Sequence, residues 1–301
     1  MSEIRRLVID IGTNSVLALL AIVDGERLSV IFDNKKTTKL GEGLIATGRL
    51  SEAAISRTVG AISNFSKLDQ YDEIFLVGTE ALRIAKNSGD FSKALKNEIG
   101  LESTIIKGIK EAELSFLGSL YNLNIDKSDI LLIDVGGGSS EMVKGENARM
   151  TQSLSIPIGA LKLKEMSDSD SIDKYINLAK TIIKDKIDDV HINESATVLG
   201  TGGTIASTAA IAGGLLDFNA TRIHGSILTT TQLTKITMDF QNASAQQRES
   251  LIPFDPERAD IMLPGLGIYL AILGIIDKDS LVVSTGGLRY GAALYPDKIW
   301  A

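Results

Sequence analysis

The chain has 301 residues, of which 44% are hydrophobic and 23% are charged, and this balance predicts a soluble globular protein long enough for two domains. It has no cysteine, which excludes disulfides, thiolate catalysis and Cys-ligated zinc, and its two histidines, His191 and His224, leave little material for a His-ligated metal or a Ser-His-Asp relay. A formal net charge of −7 opposes non-specific attraction to nucleic acid, so we expect no nucleic acid polymer as a partner.

The N-terminal residues MSEIRRLVID run directly into a predicted strand, without the apolar stretch of a signal peptide. The rest of the sequence shows no run of membrane-spanning length. We therefore expect a cytoplasmic protein with no membrane partner.

Two segments repeat one pattern. Leu7–Ser15 reads LVIDIGTNS and Leu131–Ser139 reads LLIDVGGGS, which is the same order of apolar run, aspartate and small turn residues. Each predicts a strand, a glycine turn and a second strand. One such turn is equally well explained as an ordinary tight turn, since glycine is the default turn residue. Two matching copies favour a duplicated phosphate-binding hairpin, and hence two lobes that face one cleft.

The elements predicted after the first hairpin alternate strands and helices, as in one α/β lobe. In chain order they are a strand at Leu28–Phe32, a helix at Ser51–Leu68 capped by Ser51, a strand at Glu73–Gly78, a helix at Ser88–Ile99, a short strand at Thr104–Lys107 and a helix at Glu111–Tyr121. The polar stretch Asn122–Asp129 carries no core pattern and marks the boundary. The predicted domains are residues 1–124 and 125–301, with the last residues free to pack back on the first lobe.

The second half repeats the scheme. We predict paired strands through Val143, a helix at Ser171–Asp189, a strand at Ala196–Leu199 that runs into GTGGT at Gly200–Thr204, a helix over IASTAAIA, and a strand, glycine turn and helix at Leu281–Leu294. A strand that feeds a glycine turn at a helix N-terminus presents free N–H groups and the positive end of the helix dipole, which is the geometry of an anion site. Asp10 and Asp134, each directly before a glycine turn, are placed to hold a divalent cation, directly or through water.

Eight segments, taken in order, resemble the motifs of the exopolyphosphatase/guanosine pentaphosphate phosphohydrolase family of the actin-like superfamily. They are IDIGTNSVLALL, TKLGEGLIATGRLSEAAI, VGTEALRIAKNSGDF, KGIKEAELSFLG, IDVGGGSSEMV, IPIGALKL, GTGGTIAST and RIHGSILTTTQL. The resemblance implies an α/β fold of two actin-like (ribonuclease H-like) lobes, each a mixed sheet flanked by helices, with a cleft between them. It also implies the short form of the family, without the additional C-terminal domain of longer members.

The resemblance assigns roles to single residues. Glu111 in KGIKEAEL matches the family's catalytic base, which activates water against a terminal phosphorus. Asp134 and Glu141 match the acidic residues associated with Mg²⁺, and Arg83 matches an arginine that faces substrate phosphates. The expected phosphate-binding residues are Asp10, Gly12, Thr13, Asn14, Ser15, Arg83, Gly136, Gly137, Gly138, Ser139, Gly200, Thr201, Gly202, Gly203 and Thr204.

Each of these residues also has an ordinary structural interpretation. Glu111 could face solvent on its helix, and Arg83 could pair with Glu80 on the surface. The two aspartates could simply hydrogen-bond the turns that follow them. His224, beside a glycine turn, is typical of a structural imidazole.

Four positions depart from the family pattern. The family commonly has glutamate at the position of Lys110, arginine at the positions of Glu113 and Lys162, and an acidic residue at the position of Tyr290. These departures leave the expected catalytic positions intact. They bear on substrate geometry, chain-length preference and rate.

The sequence thus predicts a hydrolase that removes the terminal phosphate of inorganic polyphosphate, with Mg²⁺ or Mn²⁺ as cofactor. Guanosine pentaphosphate (pppGpp) as substrate of the same site is the nearest alternative, and an actin-like kinase or ATPase and a non-enzymatic polyphosphate sensor are more distant ones. Small-residue helices and an acidic surface allow a homodimer. Because the chain is acidic, we expect a local basic track in which Arg83 and Lys86 lie one turn apart on a helix and Lys107 and Lys110 lie beside the base.

Overall fold

A computed structural model describes residues 3–68, 70–187 and 192–300 of the chain. It forms two compact units, which we call the first lobe (Met1–Asn122 with Gly286–Ala301) and the second lobe (Leu123–Thr285). The sequence prediction divides the chain after residue 124 and allows the last residues to pack on the first lobe. The two units divide the chain after Asn122 and group Gly286–Ala301 with the first lobe. His191 and the end of the helix predicted at Ser171–Asp189 lie outside the described residues.

The first lobe is built on a five-stranded mixed sheet. Its elements up to residue 122 are β1 (Ile4–Ile11), β2 (Ser15–Asp24), β3 (Arg27–Thr37), α1 (Leu44–Thr47), α2 (Glu52–Ser66), β4 (Glu73–Gly78), α3 (Glu80–Ile84), α4 (Ser88–Ile99), β5 (Thr104–Ile105) and α5 (Gly108–Ser119). The strand order is β3-β2-β1-β4-β5. The pairs β3–β2 and β2–β1 are antiparallel, and the pairs β1–β4 and β4–β5 are parallel.

The second lobe repeats this sheet. Its elements are β6 (Asp129–Val135), β7 (Ser140–Glu146), β8 (Arg149–Ile156), α6 (Ala160–Met166), α7 (Ile172–Ile187), β9 (Thr197–Thr201), α8 (Gly203–Ala212), α9 (Ala220–Ile223), β10 (Ile227–Thr229), α10 (Thr230–Asn242), α11 (Ala245–Leu251), a 3₁₀ turn (Pro256–Arg258), α12 (Ala259–Ile275) and β11 (Ser280–Val283). The strand order is β8-β7-β6-β9-β11, as in the first lobe, with β10 added at the edge. The predicted α/β fold class, with two lobes of mixed sheet flanked by helices, is confirmed. The chain then adds α13 (Leu288–Leu294) and α14 (Asp297–Trp300) to the first lobe.

Alternation along β1 sends neighbouring side chains to opposite faces of the first sheet. Leu7, Ile9 and Ile11 are buried together with apolar residues of α2 and α4. Val8 is buried on the other face, with residues of α5 and α13. Asp10 follows Val8 in this alternation and therefore lies on the α5 face.

Helices α5 and α13 approach each other backbone to backbone. A Cβ added to Gly118 would lie 2.0 Å from the carbonyl oxygen of Gly287, and one added to Gly291 would lie 1.9 Å from that of Leu114. Both distances are far shorter than any allowed contact, so only glycine permits this packing. The contact fixes α5, whose first turn carries Glu111, to the last segment of the chain.

Helix α12 is apolar on all sides. Together with the preceding 3₁₀ turn it forms a 20-residue stretch, Pro256–Ile275, whose length and composition would also suit a membrane span. The sequence prediction did not recognise this run. In the structure 67% of its most apolar window is buried, and residues such as Met262, Leu266 and Tyr269 belong to the core of the second lobe. This is the pattern of a central helix in a globular core.

Most of the predicted elements are confirmed, including the helix capped by Ser51, whose hydroxyl accepts a hydrogen bond from Ala54 N at 3.2 Å. Several predicted bounds were wrong. Strand β3 continues to Thr37, beyond the predicted end at Phe32, and α5 begins at Gly108, before Glu111. The elements that were not predicted are α1, β8, α6, α9, β10, α10, α11, the 3₁₀ turn, α12 and α14.

Candidate functional site

The two predicted glycine turns have the same geometry, one in each lobe. Gly12 N donates to Ser15 O at 3.0 Å, and Gly136 N donates to Ser139 O at 3.0 Å. A Cβ would lie 2.9 Å from the accepting carbonyl at Gly12 and 3.1 Å from it at Gly136, so a side chain would strain either turn. The duplicated hairpin is confirmed, and phosphate binding by its turns stays a prediction.

A later segment of each lobe binds the carbonyl groups of its turn. In the first lobe, Asn14 O accepts a hydrogen bond from Thr38 N at 3.0 Å. In the second lobe, Gly137 O accepts one from Leu161 N at 3.0 Å, in the first turn of α6. Gly159 makes this approach possible, because a Cβ there would lie 2.5 Å from Gly137 O. The carbonyl dipoles are thereby turned back into the protein, as an anion-binding turn requires.

Asp10, the penultimate residue of β1, carries a buried carboxyl. It is 9% exposed, and its Oδ1 atom has no hydrogen-bond partner among the residues that the structure describes. Burial, followed by the nearby Glu111 carboxylate, raises the pKa of Asp10 to about 7, against the opposing charge of Arg289. A buried carboxyl oxygen without a partner is a group that a cation or a donor on a ligand could satisfy.

Arg83 and Glu111 form an ion pair on the first lobe. The guanidinium Nη1 of Arg83, on α3, donates to Glu111 Oε2 at 3.0 Å and to Ile106 O at 2.9 Å. Both side chains are about one-third exposed, at 31% and 33%. Burial raises the pKa of Glu111, and the hydrogen bond and charge of Arg83 oppose that rise. The surface pairing of Arg83 with Glu80 that we weighed from the sequence is not the one that the structure shows.

A second arginine lies close to Asp10. Arg289, just inside α13, makes two hydrogen bonds with Asp33, from Nε to Oδ1 at 3.1 Å and from Nη2 to Oδ2 at 2.8 Å. The Tyr290 hydroxyl donates to the same Asp33 Oδ2 at 2.6 Å. Tyr290, one of the departures from the family pattern, is thus a buried donor that helps to hold Asp33 against Arg289.

In the second lobe, Asp134 and Glu141 are cross-strand partners on β6 and β7. Directly opposed residues of an antiparallel pair place their side chains on one face of the sheet. Glu141 Oε1 accepts hydrogen bonds from the hydroxyls of Ser139 at 2.7 Å and Ser155 at 3.0 Å. These donors hold the carboxylate in one orientation on this face of the sheet.

The GTGGT segment lies beside this carboxylate pair. Gly202, with φ of +92°, has the Asp134 Oδ1 atom 2.7 Å from the position of an added Cβ, so only glycine fits. The guanidinium of Arg258 lies over the neighbouring Gly203, 2.3 Å from the position that its Cβ would take. Thr204, by contrast, is 1% exposed and its hydroxyl faces α12, so its side chain does not face a ligand.

The residues expected for metal binding fit a divalent cation in kind and placement. Among the residues that the structure describes, no group of three or more His, Asp or Glu side chains could hold a metal ion. Two carboxylates, Asp134 and Glu141, nevertheless suit Mg²⁺, which is usually held by one or two carboxylates together with waters and substrate phosphates.

The structure therefore brings together Asp10, Arg83 and Glu111 within the first lobe, and within the second lobe Asp134, Glu141, Gly136–Ser139 and Gly202. It does not keep Lys86 on the helix of Arg83, because α3 ends at Ile84. It also pairs Lys110 with Glu113 at 3.2 Å. His224 accepts a hydrogen bond at Nδ1 from Thr285 N at 3.2 Å, in agreement with its structural interpretation.

Sequence reasoning missed Asp33, Arg289, Arg258 and Tyr269. Asp33 and Arg289 are far apart in the chain and carry no local motif, so no sequence signal indicated their pairing. The sequence analysis identified Tyr290 only as a departure from the family pattern, and not as a partner of Asp33. Tyr269 lies in the unrecognised apolar run of α12.

Comparison with known proteins decides the family. Residues 19–295 match the Ppx/GppA phosphatase family over nearly the whole chain. The chain belongs to this family. Membership confirms the predicted resemblance and the predicted enzyme class, a phosphoanhydride hydrolase.

Individual known proteins are similar to this chain over nearly all of its length. Exopolyphosphatase 2 of Mycobacterium tuberculosis is 29% identical over 98% of this chain and 99% of its own. The crystal structure of the Aquifex aeolicus Ppx/GppA family member has a TM-score of 0.86 and 29% identity, and covers 98% of both chains. The bifunctional 3-dehydroquinate synthase/phosphatase of Fusobacterium nucleatum is also 29% identical, over 96% of this chain and 46% of its own.

Proposed function

We propose that this Ppx/GppA phosphatase is an exopolyphosphatase, which releases the terminal phosphate of inorganic polyphosphate with Glu111 as general base. The observation that supports this most is the ion pair of Glu111 with Arg83 at 3.0 Å. It places a proton acceptor beside a planar group of donors suited to phosphoryl oxygens. The similarity to an exopolyphosphatase over the full length supports the choice of substrate.

The two carboxylate oxygens of Glu111 have different roles in this proposal. Arg83 engages Oε2, so Oε1 is the oxygen that would accept a proton from water. The water oxygen then attacks the terminal phosphorus, and the bridging P–O bond breaks. The shortened polyphosphate leaves with the electron pair of that bond, and the terminal group departs as inorganic phosphate.

We propose Asp134 and Glu141 as the residues that hold Mg²⁺ or Mn²⁺. Bound there, the ion would neutralise phosphoryl oxygens. The backbone N–H groups of the two glycine turns and of Gly202 and Gly203 would bind phosphate groups directly, and Arg83 would orient both the base and the reacting phosphate. A cytoplasmic location and a homodimer stay predictions.

Phosphate release tests the proposal. The purified protein is given long polyphosphate, short polyphosphate, guanosine pentaphosphate and ATP, each with Mg²⁺. Glu111→Gln keeps the size and an acceptor for Arg83 but loses the proton acceptor, so turnover should fall by roughly 10²- to 10⁴-fold with little change in substrate binding. Glu113→Gln, on the same helix but paired with Lys110 and Lys298, is the control and should retain activity. Near-normal turnover by Glu111→Gln would refute the role of base.

The pH profile gives an independent test. Because burial raises the pKa of Glu111, the rate should fall as the pH drops through a value above the ordinary 4.5 of a glutamate. Arg83→Gln removes the opposing charge, so this acid limb should move to higher pH. If guanosine pentaphosphate alone is hydrolysed, the site stands and the substrate assignment is replaced.

A further inference from the structure

Tyr269 is a buried tyrosine with an unusual pair of acceptors. It lies on α12, is fully buried, and its hydroxyl donates to Thr201 O at 2.5 Å and to Ile133 O at 3.2 Å. A tyrosine has one hydroxyl proton, so the two carbonyls share it. Burial, and then the Asp134 carboxylate, raise the pKa of Tyr269 well above its usual value, so the hydroxyl stays protonated and remains a donor.

The two carbonyls belong to neighbouring parallel strands. Ile133 lies on β6 and Thr201 on β9, and the register pairs Asp134 with Thr201. Asp134 follows Ile133 directly, and Gly202 follows Thr201 directly. The tyrosine therefore binds both strands one residue before the carboxylate and one residue before the glycine turn.

The spacing at this point is tight. The Oδ1 atom of Asp134 lies 2.7 Å from where a Cβ of Gly202 would be, so a small separation of β6 from β9 would change the distance between carboxylate and turn. We propose that Tyr269 is a positioning residue, which fixes the carboxyl ends of β6 and β9 and so sets the position of Asp134 for the divalent cation. The inference rests on the proposed metal role of Asp134.

Tyr269→Phe tests this directly, because it removes one hydroxyl and keeps the ring. The affinity of this variant and of the parent protein for Mn²⁺ is measured by electron paramagnetic resonance on the full chain without substrate. We expect binding to weaken by about 3- to 10-fold, somewhat less than is usual for loss of a direct second-sphere partner, since Tyr269 acts through the backbone. The Mg²⁺ concentration for half-maximal phosphate release should rise by the same factor.

Tyr175→Phe is the matched control. Tyr175 is also buried in the second lobe, packs against Gly267 of α12, and has a hydroxyl that donates to Asp170 at 3.0 Å. Its hydroxyl therefore binds the segment before α7, and not a carbonyl group of β6 or β9. This variant should lose some thermal stability and keep the parent affinity for Mn²⁺.

Combining Tyr269→Phe with Asp134→Asn separates the inference from the proposal on which it rests. If Tyr269 acts through Asp134, adding Tyr269→Phe to Asp134→Asn should weaken Mn²⁺ binding no further. Parent-like affinity in Tyr269→Phe, or an equal loss in Tyr175→Phe, would overturn the positioning role. Parent-like affinity in Asp134→Asn would instead refute the metal site itself.

Discussion

Asp10→Asn should stabilise the protein above neutral pH although it removes a residue expected at the substrate. The carboxyl is 9% exposed, and burial, followed by the charge of Glu111, raises its pKa from 3.8 to about 7. A carboxyl that binds its proton more tightly in the folded chain contributes stability that is complete below pH 3.8 and is lost as the pH rises through about 7. At about 1.36 kcal/mol per pH unit, that interval corresponds to about 4 kcal/mol lost at pH 8.

The assay is the free energy of unfolding by urea from pH 5 to pH 8, with a chelator present because a bound cation would stabilise the charged carboxyl. Over this range the variant should gain about 3 kcal/mol on the parent, since asparagine does not titrate. Asp24→Asn, exposed at the end of β2, is the control for the loss of one surface carboxylate. A variant that is less stable than the parent at pH 8, or a difference independent of pH, would refute the reasoning.

Three further results are expected. Asp134→Asn should raise the Mg²⁺ concentration needed for activity, and chelator should abolish parent activity; full activity without metal would contradict this. Added salt should weaken binding of long polyphosphate more than that of short substrate, with Lys107→Ala affecting mainly the long chain and Arg83→Ala both; equal salt slopes would argue against a basic track and favour guanosine pentaphosphate. Gly291→Ala should cost about 1–3 kcal/mol in stability and slow turnover by displacing α5. Gly60→Ala, where a Cβ meets nothing within 4 Å, should do neither, and an unchanged melting temperature for Gly291→Ala would contradict the packing argument.

The glycine turns could be predicted from sequence because each is a local device. Strand, aspartate and glycine follow one another within a few residues, and the hydrogen bond from Gly12 N to Ser15 O spans only that turn. The copy at Gly136 repeats the same spacing. A single glycine turn could not be distinguished from an ordinary tight turn, and the second copy provided the observation that favoured a duplicated hairpin.

The contacts that shape the first lobe's site could not be predicted in this way. Arg83 reaches Glu111 only because α3 and α5 end up adjacent, and Asp33 meets Arg289 across nearly the whole chain. Some of the elements that were not predicted did have a signal in the sequence. Helix α10 begins with a capping box between Thr229 and Gln232, a pattern that the sequence displays openly.

The two copies of the hairpin differ in the residue that lies opposite the aspartate. Asp10 and Asp134 occupy equivalent places on β1 and β6, but their cross-strand partners are Leu17 and Glu141. The apolar partner adds to the burial of Asp10, whereas the acidic partner gives Asp134 a second carboxylate on the same face. The residue opposite the aspartate is therefore one difference between the buried carboxyl of Asp10 and the carboxylate pair of the second lobe. The proposed metal site on the second lobe depends on that difference, because Leu17 offers no second carboxylate opposite Asp10.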